Sequence, residues 1–456
     1  MTAPLTLPDA PRDRLVRSTV ALLISNAIGA LLGIAFWAVA ARLFVPRDVG
    51  YGVAAIAAMT LLASIAQLNL GMVFPRYLHS AGARAGTMLR VGYAASVAVA
   101  LVAGMVFLNL TGRHDYLKSG VLPTLLFLGA VVLWVVFTIE DAALIGLRAT
   151  SLVPVENAGF SVLKIALLPV FVVVAPRSGV FYSWVVPMIV CIIPINYYLF
   201  RRVLPSHVRW SSGRSALPSP RTVKSVIAGE YMGGLAFTAI VTIPALLVAS
   251  SLGAAQTAYF QTPWLAGTSF DFLLYTFAAT LLAESSARPT VAVATVRRAV
   301  RFAVWLLAPG LVVLVVGAPW FLRILGPAYA THGTRLLQAL VLALPFMAIN
   351  VAYVTYARLA RRVRRIVAAQ VGLAALILGL TAWLLTPLGI TGAGVAFLAG
   401  QAAVAVVVAP SVIRQYRSDF MSPSFAPEAT LVAKGSGSAE RSESSLRESE
   451  RARLNG

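Results

Sequence analysis

Two consecutive hydrophobic stretches contain charged side chains that could bind an ion or an anionic group inside a bilayer. Glu140 and Asp141 lie in the first stretch, and Lys164 lies in the second. At about 1.5 Å per helical residue, Glu140 is about 12 Å from Arg148 at the end of its stretch, and Lys164 is about 15 Å above Pro154. A charge at such depth is costly and tends to face a cavity or a partner. Two interpretations stay open: a charged lumen that handles a phosphate or a coupling ion, and a structural ion pair between Lys164 and Glu140 or Asp141.

Other polar groups are spread over other hydrophobic stretches. Glu230 lies about 9 Å inside its stretch, beside Tyr231, and Asp271 lies near the middle of the next one. Deeply buried carboxyl groups can carry protons, so both are candidates for coupling; the alternative is a neutral group bonded to a nearby Ser or Thr. Asn26, in the first stretch, is an amide of the kind that more often joins helices than binds a ligand.

The chain shows no pattern typical of an enzyme. It has no motif that cradles nucleotide phosphates, builds a serine nucleophile or binds catalytic zinc. The single cysteine, Cys191, and the four histidines do not have metal-ligand spacing. The segments predicted to face outward are short, which argues against a membrane glycosyltransferase. We therefore expect no catalytic residue, no metal and no cofactor, and any transport would draw on a gradient or on the membrane potential.

The composition places these residues in a membrane protein. Of 456 residues, 59% are hydrophobic and 12% are charged, with a mean hydropathy of +0.84, whereas soluble domains carry about 25% charged residues. About 20 apolar residues span the hydrocarbon core as a helix. Twelve such stretches are predicted: Thr19–Leu43, Val49–Phe74, Thr87–Leu110, Val121–Leu147, Val153–Val174, Gly179–Phe200, Val223–Leu252, Thr257–Leu282, Ala299–Leu325, Leu336–Leu359, Ile366–Leu385 and Leu388–Ile413.

Basic residues predict the orientation, because cytoplasmic segments carry an excess of Lys and Arg. With the N-terminus inside, the inner segments hold 24 basic residues and the outer ones hold seven. We therefore expect both termini in the cytoplasm and the protein in the inner or plasma membrane. The same asymmetry accounts for the net charge of +21, so no nucleic-acid partner is expected.

The predicted organisation is two six-helix halves and two tails. Residues 1–17 form a cytoplasmic tail, 18–200 the first bundle, 201–222 a cytoplasmic linker and 223–416 the second bundle. Residues 417–456 are rich in Ser, Arg and Glu and are predicted to be a disordered cytoplasmic tail. Six-plus-six halves related by a pseudo-two-fold axis are a transporter design.

Four segments resemble a known family when read in order. Residues 18–52, 141–171, 251–286 and 325–365 are similar to segments of the polysaccharide transporters, which include the O-antigen flippases. These transporters belong to the multidrug/oligosaccharidyl-lipid/polysaccharide exporter (MOP) superfamily. The resemblance covers about residues 15 to 415, with Arg148 and Lys164 at the expected places. One departure is Glu230-Tyr231, where the family pattern has Asn-Tyr.

The resemblance implies an all-α, twelve-helix fold of the MOP type with a V-shaped cavity between two bundles. That cavity would move a saccharide linked to a lipid diphosphate from the inner to the outer leaflet by alternating access, for cell-envelope polysaccharide synthesis. Implied partners are a polyprenyl-diphosphate saccharide, membrane lipids, and glycosyltransferases or a polymerase. Substrate-binding candidates are Lys164, Arg148, Arg42, Arg76, Tyr231 and Asn26, and coupling candidates are Asp271, Glu230, Glu140 and Asp141. The alternatives are a drug or cation antiporter of the same superfamily and a membrane scaffold with a packed interior.

Overall fold

The structure is a computed structural model that describes residues 29, 31–110, 120–210, 220–287, 311–359 and 362–421. Side chains are described at 29, 31–110, 120–209, 229–270, 274, 311–358 and 362–414. This part of the chain is helical, with short connections and no strand. The helices are α1 (Leu31–Leu43), α2 (Pro46–Ala66), α3 (Leu70–Tyr77), α4 (Ala85–Leu110), α5 (Val121–Gly146), α6 (Leu152–Val174), α7 (Gly179–Tyr198), α8 (Leu204–Trp210), α9 (Pro220–Ser251), α10 (Ala254–Ala287), α11 (Leu311–Arg323), α12 (Pro327–Leu342), α13 (Leu344–Leu359), α14 (Val363–Leu388) and α15 (Ile390–Met421).

The helices have the length and composition of membrane spans. In the described part, eight are long and apolar enough to cross a membrane, or nine if α12 and α13 form one bent span. Each of the twelve predicted stretches coincides with at least part of a helix, including the shorter α1 and α11, whose predicted beginnings lie outside the described residues. The predicted fold class, an all-α multi-pass membrane protein, is confirmed.

Two predicted stretches are interrupted where the sequence suggested continuous spans. The stretch Val49–Phe74 divides into α2 and α3 because Leu68 and Asn69 adopt left-handed φ values of 51° and 61°, which end the regular helix. The stretch Leu336–Leu359 belongs to α12 and α13, which together begin at Pro327 and bend by 42° at their junction. Broken backbone at membrane depth is tolerated only where protein or water satisfies it.

Helix α2 joins the two halves of the chain. It packs against α4, α5 and α7 in the first half and against α9 and α10 in the second. Gly50, near its start, permits the closest approach, because a Cβ there would lie 1.6 Å from the carbonyl oxygen of Ala254. This contact lies at the end of the molecule where α1 connects to α2, α9 to α10 and α11 to α12. We call this end the predicted outer face. The opposite end, with the α5–α6 and α13–α14 connections, is the predicted inner face.

The predicted linker and tail are partly helical. Residues 201–210 continue from α7 through a π-helical turn, Leu199–Val203, into α8, and α9 begins at Pro220. Helix α15 continues to Met421, past the predicted end of the second bundle. Residues 422–456 lie outside the described part, so the tail and the domain boundaries stay predictions.

Candidate functional site

One face of α6 is buried, and it carries two charged residues. Glu156, Phe160, Lys164 and Leu168 recur every fourth residue, and all four are buried, whereas most of the helix is not. A period of four keeps side chains on one face of a helix. The side chains of Lys164 and Glu156 are only 5% and 4% exposed. Both therefore lie in the interior of the first half, among α1, α5 and α7.

The Lys164 ammonium lies in a box of aromatic rings. Its Nζ is 4.1 Å from the centroid of the Trp184 ring, 5.0 Å from that of Phe160 and 5.4 Å from that of Phe36. Trp184 contacts the other two rings edge to face, at 5.3 Å from Phe36 and 5.7 Å from Phe160. Each ring face attracts a cation by about 0.5–2 kcal/mol, more when water is excluded. We call Lys164 with these three rings the lysine box.

Of the two interpretations left open by the sequence, the ion pair between Lys164 and Glu140 or Asp141 is not formed in the structure. No carboxylate of the described side chains lies within ion-pair distance of the Lys164 ammonium. The rings of the lysine box occupy the space around it, and Glu140 and Asp141 face a different neighbourhood. Among the described residues, the groups that face the Lys164 ammonium are therefore aromatic rings.

Three carboxyl groups form a separate group, called here the acidic cluster: Glu140 and Glu156, which are buried, and Asp141, which is partly buried. Glu140 and Asp141 are neighbours on α5, and Asn157, next to Glu156 on α6, contacts Asp141, so the three carboxyl groups lie at the same α5–α6 contact. Glu140 is fully buried, and within the described part of the chain neither of its oxygens, nor either oxygen of Glu156, has a hydrogen-bond partner. Asp141 differs from the two glutamates because one of its oxygens has a hydrogen-bond partner: Asn157 Nδ2 donates to Asp141 Oδ2 at 3.1 Å. Among the described residues no group of His, Cys, Asp or Glu could hold a metal ion.

Two predicted substrate-binding residues instead connect the two halves. At the predicted outer face, the Arg42 guanidinium donates to the carbonyl oxygen of Ile324 at 2.6 Å. Toward the predicted inner face, the Tyr231 hydroxyl donates to the carbonyl oxygen of Ile65 at 2.6 Å. Both acceptors are backbone atoms, so the bonds depend on helix position and would break if the halves moved apart.

The remaining predicted residues are placed as follows. Arg76 is exposed on α3, with its guanidinium 5.6 Å from the centroid of the Tyr77 ring. Arg148 is exposed after α5, with a left-handed φ of 63°. Both lie toward the predicted inner face, away from the lysine box. Asn26 lies outside the described residues, and of Asp271 only the backbone, within α10, is described.

Glu230 pairs with a residue that the sequence analysis did not connect to it. Its Oε2 lies 3.3 Å from Arg358 Nη2, with the Glu230 side chain 27% exposed. The pair links α9 to α13. In the structure the Glu230 carboxylate therefore has a cation partner, unlike the carboxylates of the acidic cluster.

The sequence analysis missed a polar contact in the second half and the full extent of the acidic cluster. Asn350 Nδ2 donates to Gln401 Oε1 at 2.7 Å and to its carbonyl oxygen at 3.0 Å, and both residues are buried. The sequence signal for this contact was the presence of two isolated amides, Asn350 and Gln401, in apolar stretches. For the acidic cluster the signal was the period of four on α6, which assigns Glu156 to the same buried face as Lys164.

Comparison with solved structures identifies the fold. The inward-facing conformation of a multidrug resistance MATE family transporter of the MOP superfamily superposes with a TM-score of 0.61 at 15% identity, covering 87% of this chain and 96% of that one. The lipid II flippase MurJ in an inward closed conformation gives a TM-score of 0.60 at 12% identity, covering 87% and 89%. The outward-facing conformation of a MATE transporter gives 0.58 at 16% identity, covering 90% and 96%.

At the level of sequence, no family model and no curated protein matches the chain significantly. The structural likeness extends over most of the chain, so the protein has the fold of these MOP-superfamily transporters. Since the identities are low, the likeness establishes the fold alone.

Proposed function

We propose that the protein is a flippase that moves a lipid-diphosphate-linked saccharide from the inner to the outer leaflet by alternating access. The lysine box carries this proposal. A buried ammonium without a carboxylate partner costs several kcal/mol, and the aromatic rings offset only part of that cost. An anionic ligand would complete the compensation, and a diphosphate supplies two or more negative charges.

The surroundings of the lysine box suit a ligand with an anionic head and a polar chain. Trp184, Phe160 and Phe36 come from α7, α6 and α1, so movement of α1 relative to the other two helices would uncover the ammonium. Aromatic faces also pack well on the apolar faces of sugar rings. Arg76 and Arg148, exposed toward the predicted inner face, would attract the diphosphate before it enters.

The contacts between the halves support alternating access. The Arg42–Ile324 and Tyr231–Ile65 hydrogen bonds lie toward opposite ends of the molecule and each joins one half to the other. Both bonds are formed in this structure, and in a rocking motion each would break in the conformation that opens at its own end. In this proposal the hydrogen bonds of Arg42 and Tyr231 stabilise the conformations that are closed at their respective ends of the molecule, in addition to any contact of these residues with the substrate.

The acidic cluster fits coupling to a proton. Glu140 and Glu156 are buried without hydrogen-bond partners, and several charged carboxylates cannot share a dry site without a cation. Since the described residues offer no metal geometry, a proton is the simplest cation to bind there. Proton release and uptake would then change the charge in the interior of the first half.

The test is flipping by the full-length protein in proteoliposomes. The probe is a fluorescent polyprenyl-diphosphate disaccharide, and protection from a membrane-impermeant reductant reports its leaflet. We expect flipping by the natural protein, at least a tenfold loss with Lys164→Met and partial rescue with Lys164→Arg. Arg84→Met, which removes an exposed cation from the predicted inner face, is the control. Equal flipping by Lys164→Met and Arg84→Met would contradict the role of the lysine box.

A second candidate is a drug or cation antiporter, favoured by the acidic cluster. It predicts proton-gradient-driven accumulation of lipophilic cations in the same vesicles, abolished by Glu140→Gln and unaffected by Lys164→Met. The absence of both flipping and cation uptake would favour the third alternative, a membrane scaffold of a glycan-synthesis complex.

A further inference from the structure

A groove with basic walls lies between the ends of α13, α14 and α15 at the predicted inner face. Its volume is about 730 Å³, within the range of small-molecule sites. Helices α13 and α14 both pack along α15 but contact each other little, which leaves the groove open above α15. This groove belongs to the second half of the chain, apart from the lysine box and the acidic cluster.

The polar groups of the groove match a phosphate. Arg362 and Arg365, at the start of α14, and Arg414, near the end of α15, contribute three guanidinium groups. None of the residues that line the groove is acidic. The Arg414 side chain is oriented by its Nε, which donates to the carbonyl oxygen of Pro410 at 3.2 Å, and its terminal nitrogens make no hydrogen bond to the described residues. Tyr353 and Ser411 add neutral hydroxyl groups.

The remainder of the groove is apolar and continues onto the outside of the bundle. Val408 and Ala357 are buried in its floor, whereas Val407 is 77% exposed and the adjacent Val406 is 70% exposed. Apolar side chains so exposed on a membrane span face lipid tails. A ligand in this groove can therefore place a charged head among the arginines while its hydrocarbon chains lie along α15.

We infer that this groove is a binding site for an anionic phospholipid of the membrane, with the phosphodiester among Arg362, Arg365 and Arg414 and an acyl chain beside Val407. Basic pockets between helices on the cytoplasmic side are a recurrent way to hold such headgroups. The cation cluster alone would be an ordinary topology signal. Here the cation cluster lies in a groove, includes an oriented guanidinium and adjoins an apolar surface. These features together favour a ligand with a charged head and hydrocarbon chains. This inference does not depend on the proposed transport function.

The experiment is native mass spectrometry of the purified full-length protein in detergent, titrated with phosphatidylglycerol or phosphatidylcholine of the same chain length. The test variant is Arg362→Gln/Arg365→Gln/Arg414→Gln. The control variant, Arg84→Gln/Arg90→Gln/Arg209→Gln, removes the same charge from exposed positions on the same face of the first half. Arg90 and Arg209 each donate from Nε to the carbonyl oxygen four residues earlier, as Arg414 does.

We expect phosphatidylglycerol to bind the natural protein more tightly than phosphatidylcholine. At about 1 kcal/mol per basic residue, the groove variant should weaken that binding about a hundredfold, and the control variant by much less. Equal losses in the two variants would overturn the inference, because the binding would then reflect overall charge. Equal binding of the two lipids would also overturn it.

Two competition experiments separate this ligand from others that share its chemistry. Soluble glycerol phosphate should not displace the lipid at millimolar concentration; displacement would mean that the groove binds free phosphate and has no use for acyl chains. A polyprenyl diphosphate that displaces phosphatidylglycerol both in the natural protein and in the control variant, which keeps the groove arginines, would identify the groove as an entry site for that lipid, which contradicts a resident phospholipid.

Discussion

Substitution of Gly50 by alanine should push the two halves apart at the predicted outer face. The new Cβ would lie 1.6 Å from the carbonyl oxygen of Ala254, 2.4 Å from its carbonyl carbon and 3.0 Å from its Cα. These are backbone atoms at the start of α10, so no side-chain rotation relieves the overlap. Since real Cβ contacts are essentially never shorter than 3.0 Å, α2 and α10 must separate locally by about 1.4 Å.

The energetic effect follows from the cost of overpacking. Forcing one extra methyl group into a close-packed site costs typically about 1–3 kcal/mol, which corresponds to a change of about 5- to 150-fold in an equilibrium constant. The cost falls on the conformation in which α2 and α10 touch. A conformation that opens at the predicted outer face would avoid it, so Gly50→Ala should shift the population toward that conformation by this factor.

Spin-label distances can measure the shift. Labels at Arg177→Cys and Arg323→Cys, both exposed at the predicted outer face, report the distance between the halves in a Cys191→Ser background. We expect a distance distribution in nanodiscs with a short and a long component, and Gly50→Ala should move weight to the long one. Gly129→Ala is the control, because a Cβ there meets nothing within 4 Å.

The reasoning fails if Gly50→Ala is folded and gives the same distance distribution as Gly129→Ala. That result would mean that α2 relaxes by rolling in place and that the contact does not report on the separation of the halves. Unfolding of Gly50→Ala would be detected as loss of the monodisperse protein peak. In that case Gly50→Ser, with a similar Cβ overlap, and measurement at lower temperature would keep the test available.

Three further substitutions test the polar contacts within each half. Glu140→Gln should leave the free energy of unfolding within about 1 kcal/mol of the natural value, because it removes an unpartnered acid. It should also abolish the response of transport to a proton gradient. Thermal unfolding in nanodiscs measures the first effect, and transport with and without a gradient measures the second. Asn350→Leu should destabilise the protein by about 1–3 kcal/mol in thermal unfolding, since it leaves the side-chain oxygen of Gln401 buried without a donor. Glu230→Gln should cost less than about 1 kcal/mol, because its pair with Arg358 is partly exposed, and a double-mutant cycle of the two residues by thermal unfolding checks this.

Controls for these predictions come from the same chain. Asp141→Leu removes the acceptor for Asn157 Nδ2 and should therefore destabilise the protein more than Glu140→Gln does. Asn109→Leu removes a side-chain hydrogen bond at an exposed helix position, so its effect should be near zero beside that of Asn350→Leu. Equal effects of the two asparagine substitutions would contradict the argument from burial, and a loss of 3 kcal/mol or more in Glu140→Gln would mean that this acid has a structural partner.

The fold class and the places of the spans were predictable because they depend on local composition. A continuous apolar run as long as Val121–Leu147 is typical of a membrane span and not of a soluble domain, and α5 occupies Val121–Gly146. The interruptions were not predictable by the same means. Leu68, at the α2–α3 break, is an ordinary helix residue by type, and the left-handed backbone that it shares with Asn69 does not follow from its helix propensity.

The candidate site was predictable as a set of residues but not as a set of contacts. Depth along a helix predicts that Lys164 and Glu140 are both buried, as they are. It does not give the rotation of α5 relative to α6, and a pairing between charges on two helices depends on that rotation. The aromatic neighbours of Lys164 come from three different helices, so no local pattern could have revealed them.

The separation of opposite charges on α6 bears on what the interior of the first half is for. Glu156 and Lys164 are eight residues apart on one face, about 12 Å along the axis, with Phe160 between them. If Glu156 and Lys164 were four residues apart, they would form an ion pair and neutralise each other. Such a pair would stabilise a rigid scaffold. Here the amine is enclosed by rings and the acid adjoins two other acids, and no described side chain neutralises either of them. An anion for Lys164 and a proton for Glu156 meet those needs, and both are what a proton-coupled carrier of an anionic lipid would bring to this interior.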